Sequence, residues 1–595
     1  MNLKSIISLF ALFIFGVFLC FNYVIASDGI LKFQINLKPN ISLKKNLIAI
    51  TDEMKKTSKI FKTADQKVYW ENEAKKSFIK LLHSYGYYAN NIDVDIGENS
   101  DTIIFNIDTG PRYIVSSVAV NHIDNSNKNI KAPDILKFKA KKNHFIFAQN
   151  VIDDQNWLLK YIEKHNCLLS LSISHQVTVN HEKGEVDIIY LIKAGPTAII
   201  ERIEFKGLVD VEADYARKIV HLTDGQCFKK TYITNARSYL QKSNLFSSTT
   251  PKIAKNVNAD GSVPVIFSLI ERKKRSIKAG FNYGTDTGFG LGLGWEHRNF
   301  FGRGEEVRVN VSGNKKEQLV ELQYEKPYFK RDDQVLRFET TYENGKTKAY
   351  DSKESAIAAI IERQLNPFWK AGVGLKFSHS EIKHLSTKQR AQKYDIISSP
   401  LFISRDTKND ILNATKGYYV ILEASPFTNI DEKSKPFLKT KITATTYLTN
   451  KNFIKTTLAL KASAGTITGV GYEKIPPLEK FYVGGSNSVR GYAYQLAGNM
   501  DSKKKPLGGK SSVETSLELR INATENIGIV SFFDSGYAYN SFKTKKKQKL
   551  LHGFGVGFRY ITGFGPIRAD IGFPLKRRKF IDKTFQFYFG IGQAF

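Results

Sequence analysis

Residues 288–295 read GFGLGLGW, so an apolar side chain stands at every second position. Residues 307–311, VRVNV, repeat this alternation with polar residues between the valines. The pattern is typical of a β-strand with one apolar face, because successive side chains of a strand point to opposite sides. About sixteen such segments follow one another between residues 276 and 595, within the range of membrane-spanning barrels. The sequence therefore predicts an all-β transmembrane barrel of about 16 antiparallel strands over residues 273–595.

The barrel prediction also rests on what the sequence lacks and on its connections. Beyond the first 26 residues no apolar run of about 18 residues occurs, so no transmembrane helix is predicted. A membrane-spanning chain without helices has to close into a barrel, because only closure satisfies every backbone polar group in lipid. The connections 522–526 and 561–564 are short, whereas 465–510 and 540–550 are long. Barrels carry short periplasmic turns and long outer loops, which predicts that the long connections face outwards.

The N-terminus has the layout of a signal peptide. Lys4 precedes an apolar run, and the small residue Ala26 is followed by the polar pair Ser27–Asp28, where a peptidase would cut. We therefore predict that residues 1–26 are removed on export, rather than kept as a permanent membrane anchor.

Residues 27–272 change to a mixture of short strands and helices. They read as a threefold repeat of strand, helix, helix, strand and strand, with predicted modules at 27–112, 113–196 and 197–272. The tripeptides Thr109-Gly110-Pro111 and Ala194-Gly195-Pro196 mark two of the joints. An internal repeat of this kind indicates an array of similar modules. The predicted fold class is thus α+β periplasmic modules followed by the barrel.

Cysteine content and charge exclude several classes of protein. After the signal peptide only Cys167 and Cys227 remain; they could pair in an oxidising compartment, although two buried thiols is the simpler interpretation. The net charge of +31 would normally indicate nucleic-acid binding, but an exported barrel does not meet nucleic acid, so none is predicted. No GxSxG, HExxH, P-loop or His/Cys cluster occurs, so we predict no enzyme activity, no cofactor and no metal.

Three basic runs account for part of the charge. They lie at 503–505, 545–547 and 576–579, all in connections predicted to face outwards. Their neighbour there would be phosphorylated lipopolysaccharide; the alternative is that they are solvated and bind nothing.

The most specific motif is the segment 481–492, FYVGGSNSVRGY, inside the long 465–510 connection. The glycine pair at 484–485 allows tight backbone turns. Arg490 offers a planar fork that can hold carboxylates in a bidentate manner, and a charge inside a barrel needs such partners. Glu518 and Asp534, on two following strands, are the candidate partners.

This segment resembles the VRGY/F loop of the outer-membrane assembly-factor superfamily. The resemblance implies that the loop folds back into the lumen and that Arg490 pairs with Asp534, with help from Glu518. The loop residues carried over are Gly484, Gly485, Val489, Arg490, Gly491 and Tyr492. The N-terminal modules resemble POTRA domains through their helix-to-strand turns at 82–88 and 240–246, while Asn166-Cys167-Leu168-Leu169 departs from the Gly-aromatic pair expected there.

Within the superfamily the chain looks most like the TamA branch, the barrel subunits of the translocation and assembly module, on its three modules and its 590–595 ending, GIGQAF. That resemblance implies residence in a bacterial outer membrane, unfolded outer-membrane or autotransporter client polypeptides, and an inner-membrane-anchored TamB-like partner. The alternatives are a two-partner-type secretion pore, a BamA-like general barrel insertase and a passive porin.

Two further hypotheses concern the end of the barrel. Phe595 resembles the C-terminal recognition signal of outer-membrane barrels, on a final strand that starts near Phe585. Gly280, Gly590 and Gly592 are predicted to weaken the pairing of the first and last strands, because glycine in a strand weakens it. This lateral seam would open to client polypeptides.

Overall fold

The computed structural model describes residues 32–38, 43–57, 64–96, 102–123, 130, 137–384, 391–430, 435–450, 455–541, 549–563 and 565–595. The predicted signal peptide, residues 1–26, and the basic run at 545–547 lie outside the described residues. Within the described part of the chain, no helix has both the length and the apolar character needed to cross a membrane.

The N-terminal part contains three small sheets of three strands each. The first comprises β1 (Lys32–Lys38), β2 (Asn91–Ile96) and β3 (Thr102–Asp108) in the order β1-β3-β2, with helices α1 (Lys44–Thr57) and α2 (Ala64–Ser84) between β1 and β2 in sequence. Alternate residues of β3 are buried. Its Ile103 and Phe105 form a core with Phe78 and Leu82 of α2, as expected for a half-buried strand packed under an amphipathic helix.

The second and third sheets repeat this topology. The second has β4 (Ile114–His122), α3 (Ala148–His165), β5 (Leu171–Asn180) and β6 (Glu185–Ala194), in the order β4-β6-β5. The third has β7 (Ile199–Lys206), α4 (Ala213–Val220), α5 (Lys230–Lys242), β8 (Phe246–Ile253) and β9 (Ser262–Glu271), in the order β7-β9-β8. The last strand of each group is always central, and the second group shows one helix among its described residues where two were predicted.

The predicted module boundaries fall between these sheets. The chain also divides into two compact units, and the bounds of these units differ from the module boundaries. One compact unit comprises 1–203, 223–234 and 253–265, and the other comprises 204–222, 235–252 and 266–595. The division runs through the third sheet, so part of the third module belongs to the unit that also contains the first and second modules.

The rest of the chain forms the barrel. Its strand segments among the described residues are β10 (Arg275–Gly284), β11 (Gly288–His297), β12 (Glu306–Gly313), β13 (Glu317–Lys326), β14 (Gln334–Lys346), β15 (Tyr350–Gln364), β16 (Trp369–His384), β17 (Gln392–Ser398), β18 (Leu401–Asp406), β19 (Gly417–Asn429), β20 (Phe437–Asn450), β21 (Thr456–Thr468), β22 (Ser511–Asn522), β23 (Ile527–Tyr539), β24 (Leu551–Thr562), β25 (Gly565–Pro574) and β26 (Gln586–Ile591).

These segments close into one antiparallel barrel. β17 and β18 both pair with β16 and with β19, so the two segments are halves of one strand interrupted at residues 399–400. The barrel therefore has sixteen strand positions, which confirms the predicted architecture. Large apolar side chains such as Phe289, Leu291 and Leu293 are exposed on β11, as an outer surface in lipid requires.

The direction of the barrel in the membrane is testable at two exposed positions. Lys504 lies in the long connection between β21 and β22, and Thr524 lies in the short turn between β22 and β23. We expect Lys504→Cys to react with a membrane-impermeant thiol reagent on intact cells, and Thr524→Cys to react only after the outer membrane is permeabilised. Labelling in the reverse order would show that the long connections face the periplasm.

Candidate functional site

The connection between β21 and β22 folds into the barrel and brings the segment 481–492, here called the lock loop, against the strands. Arg490 is 1% exposed, and Val489 and Tyr492 are fully buried. The loop backbone has φ values of 113°, 109° and 96° at Gly484, Gly485 and Gly491. Only glycine adopts this region without strain, so the glycines of the motif set the path of the loop.

The loop touches the wall so closely that side chains are excluded from both surfaces. A Cβ atom at Gly491 would lie 2.7 Å from the carbonyl carbon of Phe573 on β25. On β24, a Cβ atom at Gly553 would lie only 1.8 Å from the carbonyl oxygen of Arg490. Glycines on the wall are therefore as much a part of the site as glycines in the loop, and the sequence motif did not point to Gly553.

Arg490 reaches both carboxylates that the sequence proposed. Its Nε and Nη2 atoms donate to Oδ2 and Oδ1 of Asp534 at 2.7 and 2.9 Å, a bidentate pair, and its backbone N–H also donates to Asp534 at 3.1 Å. Its Nη1 atom donates to Oε1 of Glu518 at 2.7 Å. Both carboxylates are completely buried, so their charges depend on these contacts.

Three further residues complete the surroundings of Arg490 and were not predicted. Asp570 on β25 brings a third carboxylate to 3.5 Å from Nη1. The ring of Phe532 lies 3.5 Å below the guanidinium carbon, a cation–π contact. Ser516 donates from its hydroxyl to Asp534 at 2.5 Å. Asp570 stands in the Gly-Phe-Gly-Pro-Ile-Arg-Ala-Asp stretch at 563–570, but only the pairing of β24 with β25 turns it towards the loop.

Two more arginines balance the acidic side of the cluster. Arg520 donates to Oε2 of Glu518 at 2.8 Å, and Arg559 donates to Oδ1 of Asp570 at 2.5 Å. We call Arg490, Arg520, Arg559, Glu518, Asp534 and Asp570 the lock cluster. Three guanidiniums face three carboxylates in it, so its formal charges cancel. Such a network holds its members in one arrangement, because moving any one of them leaves an opposite charge buried alone.

The connection that contains the lock loop also contacts both sides of the junction between the first and last strands. Asp286, in the turn after β10, accepts a hydrogen bond from the Tyr494 backbone N–H at 2.7 Å, and burial raises the pKa of this carboxyl group. Tyr588 on β26 donates from its hydroxyl to the Tyr492 carbonyl at 3.4 Å. One connection is therefore fastened to β22–β25 through Arg490 and also contacts the residues on both sides of the junction.

Pairing at this junction, the seam, is short. The seam register contains only two residue pairs, Tyr283 with Phe589 and Gly284 with Tyr588. The neighbouring ladders contain ten pairs for β10 with β11 and six pairs for β25 with β26. Thr285 adds contacts to Phe587 just above the seam. The wall is therefore weakest where its two ends meet.

The three predicted seam glycines occupy different places. Gly590 lies on β26 beside Asn282, whose Cβ would be 3.7 Å from a Cβ at that glycine. Gly280 lies in the part of β10 beyond the two seam pairs, with nothing within 4 Å of an added Cβ. Gly592 lies beyond β26 with a φ of 89°.

The predicted placement of Phe595 on the final strand differs from the structure. β26 ends at Ile591, because the left-handed backbone of Gly592 turns the chain out of the ladder. The Phe595 ring then lies 5.3 Å from the Arg520 guanidinium, whose Nη2 donates to the Phe595 carbonyl at 3.0 Å. Gln593 accepts a hydrogen bond from Arg559 at 2.8 Å. The end of the last strand is thus tied to two members of the lock cluster.

The chain is similar to outer membrane protein assembly factors named BamA. It is 22% identical over 522 residues to BamA of Nitratidesulfovibrio vulgaris, covering 84% of this chain and 64% of that protein. It is 20% identical over 589 residues to BamA of Neisseria meningitidis serogroup B, covering 86% of this chain and 72% of that protein. The chain therefore spans less than two thirds of the length of the first of these relatives.

A solved structure shows the same fold. BamA from Haemophilus ducreyi lacking POTRA domains 1–3 matches with a TM-score of 0.64 at 18% identity, covering 80% of this chain and all of that one. The sequence of residues 299–595 matches the Omp85 superfamily domain. That span begins in the turn before β12 and contains the lock loop, the lock cluster and the last strand. The chain therefore carries an Omp85 superfamily domain over residues 299–595, and the barrel follows POTRA-like modules.

Proposed function

We propose that this chain is an outer-membrane protein assembly factor that opens its barrel at the seam and offers the first strand to client polypeptides. The observation that carries the proposal is the seam register of two residue pairs. A closed barrel presents no strand edge, whereas a wall that parts at one ladder exposes a row of backbone donors and acceptors. The name of the BamA relatives, outer membrane protein assembly factor, agrees with this role.

The first strand supplies the edge. Residues 275–282 of β10 continue beyond the two seam pairs, while their other side pairs throughout with β11. An unpaired edge of this length accepts an incoming strand through main-chain hydrogen bonds, with little dependence on the incoming sequence. This suits a factor that handles many clients, because backbone pairing supplies affinity and the side chains need only alternate.

The lock loop controls the seam in this proposal. The lock cluster fastens the loop to β22–β25. The loop contacts Tyr588 on β26, and Tyr494 just after it contacts Asp286 beside β10. Opening the seam then requires the contacts to Asp286 and Tyr588 to be broken while Arg490 stays paired. The lock cluster therefore stays in place during opening, and the contacts to Asp286 and Tyr588 are released.

A crosslink across the seam tests the proposal directly. The Cβ separation of 3.7 Å between Asn282 and a Cβ at Gly590 matches a disulfide, whose Cβ atoms lie about 3.8 Å apart. We expect the Asn282→Cys, Gly590→Cys double variant to fold, and to lose at least about tenfold in the rate of client-barrel assembly into liposomes. Reduction should restore the rate.

The matched control places the same bond within the wall rather than across the seam. Thr443 and Ser463 are paired on β20 and β21, with their hydroxyl oxygens 3.1 Å apart, and the Thr443→Cys, Ser463→Cys variant should assemble clients at the native rate. A seam-crosslinked barrel that works at the native rate, with its disulfide verified by mass spectrometry, contradicts the proposal.

We further propose the TamA branch, with autotransporter clients and a TamB-like partner, and with lipopolysaccharide beside the outer basic runs. The support is the set of three N-terminal sheets, since two-partner secretion pores resemble this chain in the loop motif but carry two POTRA modules. Purification from outer membranes after mild crosslinking discriminates the branches. Recovery of a large inner-membrane-anchored partner favours the TamA branch, and recovery of outer-membrane lipoproteins instead favours a BamA-like insertase.

A further inference from the structure

The two joints between the N-terminal modules have the same backbone hydrogen bonds. This likeness shows why cysteines occur at the second joint. At the first joint, between the first and second modules, Tyr113 donates its N–H to the Gly86 carbonyl at 2.9 Å, and Ile146 donates its N–H to the Tyr113 carbonyl at 3.1 Å. At the second joint Ala198 donates to the Cys167 carbonyl at 2.7 Å, and Phe228 donates to the Ala198 carbonyl at 3.0 Å. The two patterns coincide bond for bond.

This coincidence fixes which residues are equivalent. Gly86 corresponds to Cys167, and Tyr113 corresponds to Ala198, each placed two residues after a Gly-Pro pair. Isolated bridges join Ile114 with Phe145 at the first joint and Ile199 with Cys227 at the second. Positions occupied by glycine and phenylalanine at one joint are therefore both cysteines at the other.

The two cysteines form a disulfide, with a Cα–Cα distance of 5.1 Å. The interpretation as two buried thiols is therefore wrong in this structure. At the second joint Cys167 and Cys227 lie on opposite sides of Ala198, close enough to form the bond. The same feature explains why Asn166-Cys167-Leu168-Leu169 departs from the Gly-aromatic turn of the other modules. Cys167 stands at the position that Gly86 occupies at the first joint. At the second joint this position forms a covalent bond to the next module, whereas at the first joint the contact is non-covalent.

Two helix termini reinforce the second joint. The Glu163 carboxylate, in the last turn of α3, accepts a hydrogen bond from the Thr231 backbone N–H in the first turn of α5 at 2.8 Å. The Lys229 ammonium donates to the Lys164 carbonyl at the end of α3 at 2.6 Å. A carboxylate at a helix N-terminus and a cation at a helix C-terminus are both favourable placements. Each helix thus caps the other across the joint.

We propose that the second and third modules move as one body, fixed by the Cys167–Cys227 disulfide, and that the arm bends at its first joint. The first joint keeps the shared backbone bonds and adds a hydrogen bond from Arg112 to the Tyr85 carbonyl at 2.8 Å, but it has no covalent link. The inference does not depend on the proposed seam.

Distances between spin labels test the proposal in the full-length protein in lipid nanodiscs. Labels carried on unnatural amino acids at the exposed positions Lys183 and Asn256 span the second joint, and labels at Lys80 and Lys183 span the first. We expect a narrow 183–256 distribution that at least doubles in width in the Cys167→Ser, Cys227→Ser variant and on reduction of the native protein. The 80–183 distribution should be broad already and should not change.

Three results would overturn the proposal. Free thiols at Cys167 and Cys227 in protein taken from the outer membrane would remove the bond on which it rests. A broad 183–256 distribution with the disulfide intact would show that the joint bends in spite of it. A distribution that stays equally narrow after reduction would assign the rigidity to the helix caps, which Glu163→Ala in the reduced protein would then test.

Discussion

Replacing Asp534 with alanine should lower the free energy of unfolding of the barrel by roughly 3–5 kcal/mol. Asp534 holds Arg490 through three hydrogen bonds inside a fully buried site. Without it the guanidinium keeps Glu518 and the more distant Asp570 as partners, and its bidentate contact is lost. Arg490→Ala should cost a similar amount, because it leaves Asp534 buried without its main partner. Denaturant unfolding of the detergent-solubilised barrel measures both changes.

The double variant decides whether the two residues act together. If Arg490 and Asp534 stabilise the barrel mainly through each other, the double variant should be little worse than either single variant. Glu354 and Lys376 provide a control, since their ion pair at 3.4 Å is partly exposed and such pairs contribute about 0–1 kcal/mol. Losses at Arg490 and Asp534 that simply add would show that the two side chains are stabilised separately.

Sequence reasoning predicted the parts of this protein that local patterns specify. Alternation predicted the barrel, and the resemblance of the 481–492 motif to the VRGY/F loop implied that Arg490 pairs with Asp534, with help from Glu518. The break between β17 and β18 was not predicted, although Pro400, which cannot donate to a strand ladder, stands at it.

The parts it missed depend on contacts between distant segments. Asp570 faces Arg490 only through the β24–β25 register. Phe595 leaves the strand because of the backbone at Gly592, which alternation does not reveal. The disulfide joins positions 60 residues apart, and only the geometry of the second joint shows that they meet.

Gly553→Ala should reproduce much of the loss caused by Arg490→Ala, although it removes no charge and no hydrogen-bonding group. Its Cβ would lie 1.8 Å from the Arg490 carbonyl oxygen, well inside van der Waals contact, and both atoms near the clash belong to backbone. Neither a strand in a closed barrel nor a loop held by the lock cluster can retreat by the required distance, since interiors are close-packed. The loop therefore has to move away from β24, and this movement weakens the contacts of Arg490.

The comparison that isolates this effect is Gly280→Ala, because a Cβ at Gly280 meets nothing within 4 Å. That change should leave unfolding within about 0.5 kcal/mol of the native value, as surface substitutions usually do. Gly553→Ala should also cost much less in the Arg490→Ala background, where the loop is already loosened, than in the native chain. A native-like unfolding curve for Gly553→Ala would mean that the loop does not rest on β24. An equal cost in both backgrounds would mean that the alanine strains strand β24 itself. The two measurements therefore separate the contact between loop and strand from the stability of the barrel wall.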